Sequence, residues 1–326
     1  MPAMKRFLVF LVACAALLPA QQKKILVIGD AEVAKELQSV SDKVKVVTVT
    51  RDTLANEIAD ADAVVGEVRP QDVRAGKKLK WVQMMSAGVE RVLHMAGGAD
   101  LRDSNIILTN NQIVQGPEIA DHALAMLLAL SRGIYKFVGD RTTETWQPRP
   151  YPGIELNGRT AVVIGCGGIG QQIALRSWAF GMTVLCVDPE DLPYSPFIKK
   201  VVKPDQLDEV LPEADVIFIS APHTEKSHKM MGPKQFELMK KDSYFIAVSR
   251  GGSYDMGGLV KTLVTDPEPL PQGHALWKFQ NAIITPHIAG RSDKDRARMI
   301  GTIKENVKRF VDGRPLLNVV DKQKGY

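Results

Sequence analysis

The chain reads as an α/β protein made of two doubly wound parallel sheets. Its 326 residues exceed one small domain and suit two. Short apolar runs alternate with helical patterns in two separate series, as they do in parallel sheets covered by helices on both faces. A glycine-rich turn joins the first strand of the second series to a helix. A hydrophobic content of 45% and a charged content of 24% belong to ordinary soluble globular proteins. The formal charge of +5 is scattered, without a block of like charges, so nucleic acid is not an expected partner.

The first twenty residues stand apart. Lys5 and Arg6 precede the apolar run Phe7–Ala20, which gives way to Gln21-Gln22-Lys23-Lys24. A basic start, an apolar stretch of this length and a small residue before a polar restart fit an export signal over 1–20. The run is short for a membrane span. Export, as to a periplasm, is the expectation; the alternative is a buried first strand in a cytoplasmic protein. Leu18 departs from a small-x-small cleavage pattern.

In the first series "KILVIGD" (Lys24–Asp30) reads as a buried strand, followed by a helix near Ala31–Gln38. Further strands are expected at Lys43–Val49, Ala61–Glu67, Lys80–Gly88 and Asn105–Asn110. Pro117–Phe137 is one long helical stretch, with Pro117 suited to a first turn and Glu118 and Asp121 to the positive helix end. Val138–Arg159 is polar and proline-containing, an arm or linker. The second series has apolar runs at Ala161–Ile164, Thr183–Val187, Val216–Ser220, Tyr244–Val248 and Ala282–Thr285. The tail reads as a helix stopped by Asp312-Gly313 that returns to the first domain. Cys14, Cys166 and Cys186 make no Cys-x-x-Cys and no Cys/His cluster, so no metal site is expected. Cys166 and Cys186 fall at strand ends and read as small apolar residues.

The turn "IGCGGIG" has the full context of a dinucleotide cradle. It follows the strand "AVVI", opens a helix, and a second strand ends in Asp188, 18 residues after Gly170. Gly165 allows the tight turn, Gly167 admits a pyrophosphate to the backbone, and Gly170 lets helix and strand pack closely. The helix start offers unpaired N–H groups to phosphate. Asp188 can accept from ribose hydroxyls and repels a 2′-phosphate, which favours NAD over NADP.

Three chemical side chains stand near strand ends in the second series. Arg250 follows "FIAVS", Glu268 lies in "DPEPLP", and His287 follows "AIITP". An arginine fork grips a carboxylate at two points. Histidine gives and takes protons near neutral pH, and a neighbouring carboxylate keeps it charged and oriented.

On "ELNGRTAVVIGCGGIGQQIALRSWAFGMTVLCVDP", "MKKDSYFIAVSRGG", "DPEPLPQGHALW", "NAIITPHIAGRS", "MMSAGVERVL" and "LTNNQIVQGPEIADHALAMLLALSR" the chain resembles the D-isomer-specific 2-hydroxyacid dehydrogenases. That family includes glyoxylate/hydroxypyruvate reductases and phosphoglycerate dehydrogenase-like enzymes. The resemblance implies a flavodoxin-like substrate domain over 23–128 plus 293–326 and an inserted Rossmann NAD-binding domain over 129–292. It places the catalytic arginine, glutamate and histidine on Arg250, Glu268 and His287, and the carboxylate-binding loop on Ala87-Gly88. It implies cofactor contacts at Gly165, Gly167, Gly168, Ile169, Gly170, Asp188, Pro222 and Ser249. Trp146 resembles the aromatic of the arm through which such enzymes dimerise. His223 is expected beside the cofactor as a packing residue, and His94, His122, His228 and His274 as structural. Ala247 stands where an asparagine is common.

One departure is large. Only 18 residues separate Arg250 from Glu268, about a dozen short of the family pattern. After a helix through Leu263, three residues remain before Pro267, and these extend at most ~10 Å, too little for a return crossover and a strand. Either the helix becomes a connector or the sheet closes with one strand fewer, and Glu268 moves. The expected function is reversible hydride transfer between a nicotinamide cofactor and a small 2-keto acid such as glyoxylate or hydroxypyruvate. The competing expectation is a non-catalytic, NAD(H)-binding sensor or scaffold on the same fold.

Overall fold

The structure is a computed structural model that describes residues 22–95, 99–146, 150, 153–255, 270–279 and 281–326. Two five-stranded, all-parallel sheets organise it. The first contains β1 (Lys23–Ile28), β2 (Val44–Val49), β3 (Ala63–Val65), β4 (Trp81–Gln83) and β5 (Ile107–Thr109) in the order β2-β1-β3-β4-β5. The second contains β6 (Thr160–Ile164), β7 (Thr183–Val187), β8 (Lys200–Val202), β9 (Val216–Ile219) and β10 (Tyr244–Ala247) in the order β10-β9-β6-β7-β8. Among the described residues four helices reach eight residues: α1 (Ala31–Gln38), α2 (Gly116–Ser131), α3 (Gly168–Ala179) and α4 (Asp295–Asp312).

Alternation along each strand sends side chains to two cores. In the first sheet Leu26, Val64 and Val82 face one layer, while Ile25, Ala63 and Trp81 face the other. Onto that second face pack Val33 and Leu37 of α1 and Ile300, Ile303 and Val307 of α4. The C-terminal helix therefore returns to the first sheet. A buried amide fixes its register: Asn306 Nδ2 donates to Gln83 Oε1 at 3.0 Å and its Oδ1 accepts from Leu317 N at 2.7 Å. In the second sheet Ala161, Val163, Phe218 and Ile246 pack against Ala120, Ala123, Leu124 and Leu127 of α2 and Ile173 and Ala174 of α3.

Several expectations change. The helix from Pro117 stops at Ser131, because Gly133 takes the left-handed conformation at φ 64° and a separate short turn, Ile134–Phe137, follows. Asp121 pairs with Arg176 of α3 at 2.6 Å instead of acting only as a helix-start charge. β8 was not expected; it is an exposed edge strand flanked by lysines, without the apolar run of a buried strand. The Ala282–Thr285 run forms no strand. Ile283 and Ile284 pack on the core without joining the ladder, and the sheet ends at β10 among the described residues. Cys166 and Cys186 are not separate apolar residues: they form a disulfide with Cα atoms 6.1 Å apart. The leader, residues 1–20, and Glu268 lie outside the described residues.

Candidate active site

The glycine turn is built by close approach. Gly165 adopts φ 85°, and a side chain there would stand 2.5 Å from the backbone of Ala221. A Cβ on Gly168 would meet Ile113 Cα at 2.6 Å, and one on Gly170 would lie 2.0 Å from the Gly165 carbonyl oxygen. Gly170 thus lets the first turn of α3 fold against the loop itself. At Gly167 a Cβ would meet nothing within 4 Å. The one glycine that the protein's own packing does not require is therefore the one expected to face a pyrophosphate.

Asp188, at the end of β7, is buried and points back at this loop. Its Oδ2 accepts from Cys166 N at 2.7 Å and its Oδ1 from Glu190 N at 2.9 Å, which leaves each oxygen a further lone pair for a hydroxyl. Pro222 and Ser249 follow β9 and β10, on the same side of the sheet. The Ser249 hydroxyl is buried and has no hydrogen-bond partner among the described residues, so the protein leaves a polar atom there to be satisfied by something else. The open face at Gly167, the acid at Asp188 and this hydroxyl fit a dinucleotide. Gly168 and Ile169 hold the start of α3, where Gly168 abuts Ile113 and Gly116 of the substrate-side segment.

The loop after β4, in the first sheet, is pinned from β5's end. Asn110 Nδ2 donates to Ala87 O at 2.7 Å, Asn111 Nδ2 to Met85 O at 3.0 Å, and Ser86 Oγ to Gly88 O at 2.8 Å. The backbone N–H groups of Ala87 and Gly88 have no acceptor among the described residues. Arg250 reaches this loop from the other sheet: a Cβ on Gly88 would lie 2.7 Å from its Nη2. Its Nε donates to Glu90 Oε1 at 2.8 Å. Burial pushes the Glu90 carboxyl up, but Arg250 and His223 outweigh it and hold the group below its ordinary value, ionised at neutral pH.

His287 sits exposed on the 282–290 segment with φ 54°, its N–H donating to Thr285 O at 2.9 Å. The segment is tied to the start of α2 by Gln115 Nε2, which donates to Gly290 O at 2.9 Å. His122 meets the Thr285 hydroxyl at 3.0 Å, and burial lowers its pKa, favouring the neutral ring. His223 and His228 are 3.0 Å apart through Nε2 and Nδ1, and His223 belongs to the charged surroundings of Glu90. His274 accepts from Leu276 N, a structural role.

The structure thus brings Arg250 onto Ala87-Gly88, and gathers Gly165–Gly170 around Asp188. Sequence reasoning missed Glu90, the anchoring pair Asn110 and Asn111, the disulfide, and Lys324 and Tyr326, which both donate to Glu190 at 2.6 and 2.8 Å. An acid two residues after a glycine loop was the only trace of Glu90. The asparagines and the tail left no local signal.

Comparison with known proteins agrees with this geometry. Residues 124–289 match the D-isomer specific 2-hydroxyacid dehydrogenase, NAD binding domain. The chain is 29% identical over 306 residues to a D-3-phosphoglycerate dehydrogenase of Methanocaldococcus jannaschii, covering 88% of this chain but 57% of that one, so it spans little more than half that relative's length. It is 27% identical over 299 residues to a glyoxylate reductase of Korarchaeum cryptofilum, covering 84% and 87% of the two chains. A solved D-isomer specific 2-hydroxyacid dehydrogenase family protein of Aeromonas salmonicida superposes with a TM-score of 0.78 at 27% identity, over 93% of this chain and 100% of that one. With the family's NAD-binding domain matched over half the sequence and its two-sheet architecture in place, the chain belongs to the D-isomer specific 2-hydroxyacid dehydrogenase family.

Proposed function

We propose that the protein is an NAD-dependent oxidoreductase interconverting a small 2-keto acid and a D-2-hydroxy acid. One observation carries the reading. Arg250, from the sheet that bears the glycine loop, lies against the unsatisfied N–H groups of Ala87 and Gly88 on the other sheet's side of the cleft. A planar cation facing backbone donors is a seat for a carboxylate.

Gly165–Gly170, Asp188, Pro222 and Ser249 would hold NADH, which would supply the hydride. Arg250 and the Ala87-Gly88 backbone hold the substrate carboxylate and so orient its carbonyl carbon. His287 Nε2 or Nδ1 holds the proton that the carbonyl oxygen takes up, and accepts it back in the reverse direction. Glu268 is assigned to keep His287 charged. NAD is favoured over NADP because the buried Asp188 carboxylate beside the glycine loop would repel a 2′-phosphate, whereas Glu190 and Asp191 are paired with Lys324 and Lys203. The Cys166–Cys186 bond and the N-terminal leader together support an oxidising, exported location. Ile134, Val138 and Trp146 are exposed on the projecting segment, Trp146 at 96%, which supports a homodimer formed through that arm. Light scattering of the wild type and of Trp146→Ala tests it.

The decisive experiment follows NADH absorbance with glyoxylate, hydroxypyruvate and pyruvate. Turnover should fall by about a hundredfold or more in Arg250→Ala and in His287→Ala while NADH binding persists. The second reading, a binding-only relative, is favoured by the shortened stretch before Glu268. It predicts NADH binding with no turnover of any keto acid by the unchanged protein.

A further inference from the structure

His287 is held from outside its own segment. Residues 282–290 form no strand, and among the described residues their backbone hydrogen bonds are local: Ala282 N donates to Phe279 O at 3.3 Å and His287 N to Thr285 O at 2.9 Å. Two side chains from the α2 region tie the segment on either side of His287. Gln115, just before α2, donates through Nε2 to Gly290 O at 2.9 Å. His122, on the second turn of α2, meets the Thr285 hydroxyl through Nε2 at 3.0 Å. The same Thr285 accepts the His287 N–H on its carbonyl oxygen, so two hydrogen bonds lead from the His122 ring to the His287 backbone. His287 stands at φ 54°, a left-handed conformation that a residue with a side chain keeps only where its surroundings impose it. Burial favours the neutral His122 ring, whose Nε2 can either donate to a hydroxyl or accept from it.

The start of α2 also meets the glycine loop. A Cβ on Gly116 would lie 2.9 Å from Gly168 O. The helix is fixed in turn to its neighbours: Asp121 pairs with Arg176 of α3 at 2.6 Å, and Glu118 with Arg298 of α4 at 2.9 Å. One braced helix therefore places both the loop expected to carry the cofactor and the segment that carries His287. Given the proton-holding role proposed above for His287, we infer that His122 is a positioning residue. Through Thr285 it sets where the His287 imidazole stands relative to the glycine loop. An error of about 1 Å at such a group costs up to about a hundredfold in rate, so the loss of this bond should show in kcat.

The test uses NADH and whichever of glyoxylate, hydroxypyruvate and pyruvate the unchanged protein reduces fastest. His122→Ala and Thr285→Val each remove the bond. Each should lower kcat by about tenfold or more, while KM and the NADH dissociation constant move by no more than about threefold. Combined, they should cost no more than about threefold beyond either alone. His122→Gln and Thr285→Ser keep a hydrogen-bonding group in place and should recover most of the loss. A side chain that served only packing would lower the melting temperature, leave kcat of the folded protein alone and gain nothing from glutamine. The NMR resonances of the His287 ring, identified by their loss in His287→Ala, give a readout without cofactor or turnover. They should shift in His122→Ala and Thr285→Val and return in the glutamine and serine variants. Should His122→Ala fail to fold, Thr285→Val and Thr285→Ser carry both measurements. Ring resonances unmoved in the bond-breaking variants, or kcat unchanged in both, overturn the inference while leaving the proposed activity standing. Full turnover by His287→Ala overturns both the role of His287 and that of His122. A protein that binds NADH and reduces no keto acid loses the proposed activity, and the ring resonances then decide whether His122 holds His287.

Discussion

Breaking the Cys166–Cys186 bond should separate stability from cofactor affinity. The bond joins the glycine loop to β7, two residues before Asp188, and spans 20 residues of sequence. Closing a loop of that size in the unfolded chain contributes about 3 kcal/mol on the chain-entropy account. In a domain of this size that corresponds to a melting temperature about 6–12 °C lower without the bond. The native loop has other ties. Gly165 N donates to Val187 O at 2.9 Å, Cys166 N donates to Asp188 Oδ2 at 2.7 Å, and β6 pairs with β7 over five residues. Because the disulfide acts mainly on the unfolded state, the NADH dissociation constant should move by no more than about threefold. Calorimetric melting of oxidised protein, reduced protein and the Cys166→Ala/Cys186→Ala double variant measures the first effect. NADH fluorescence titration measures the second, and a peptide map that finds the two cysteines cross-linked establishes the starting state. Equal melting temperatures in all three samples would refute the reasoning about stability. A loss of NADH affinity beyond tenfold on reduction would refute the claim that the remaining bonds hold the loop.

Other perturbations separate the roles of neighbouring groups. Gly170→Ala places a Cβ 2.0 Å from the Gly165 carbonyl oxygen and should destabilise the protein by several kcal/mol in urea melts, whereas Gly167→Ala meets no atom within 4 Å and should fold normally yet lose at least about tenfold in NADH affinity. Asp188→Asn should weaken NADH binding by about tenfold and reduce the preference over NADPH, because one acceptor charge is lost where a 2′-phosphate would be repelled; an unchanged ratio of the two dissociation constants would count against the assignment. Asp215 is pushed up by burial, but the Thr160 N–H, Lys240 and Arg159 outweigh this and hold its carboxyl below the ordinary value. A lowered folded pKa contributes stability above the unfolded value and loses it as pH falls through the folded one, so Asp215→Asn should cost about 1–3 kcal/mol at pH 7 and progressively less below about pH 4; urea titrations at both pH values check the sign.

What could be read in the sequence was what depends on burial or on neighbours within one loop. Apolar runs at Ala161–Ile164 and Thr183–Val187 announce strands because both of their faces are buried. The glycine turn is legible because its steric demands, such as Gly170 against Gly165, arise within a few residues. β8 was hidden because an edge strand with exposed Lys200 and Val201 has no such run. Ala282–Thr285 misled for the opposite reason: Ile283 and Ile284 satisfy their apolar side chains by packing, and a burial pattern cannot say whether a ladder partner is present. The disulfide and the Glu90–Arg250 pair were invisible because each depends on a partner set by the folded topology, and the latter spans 160 positions. The chemistry of the cleft lies mostly in this second kind of fact. Arg250 was legible as a cation at a strand end. How its guanidinium is turned depends on an acid delivered by the other sheet.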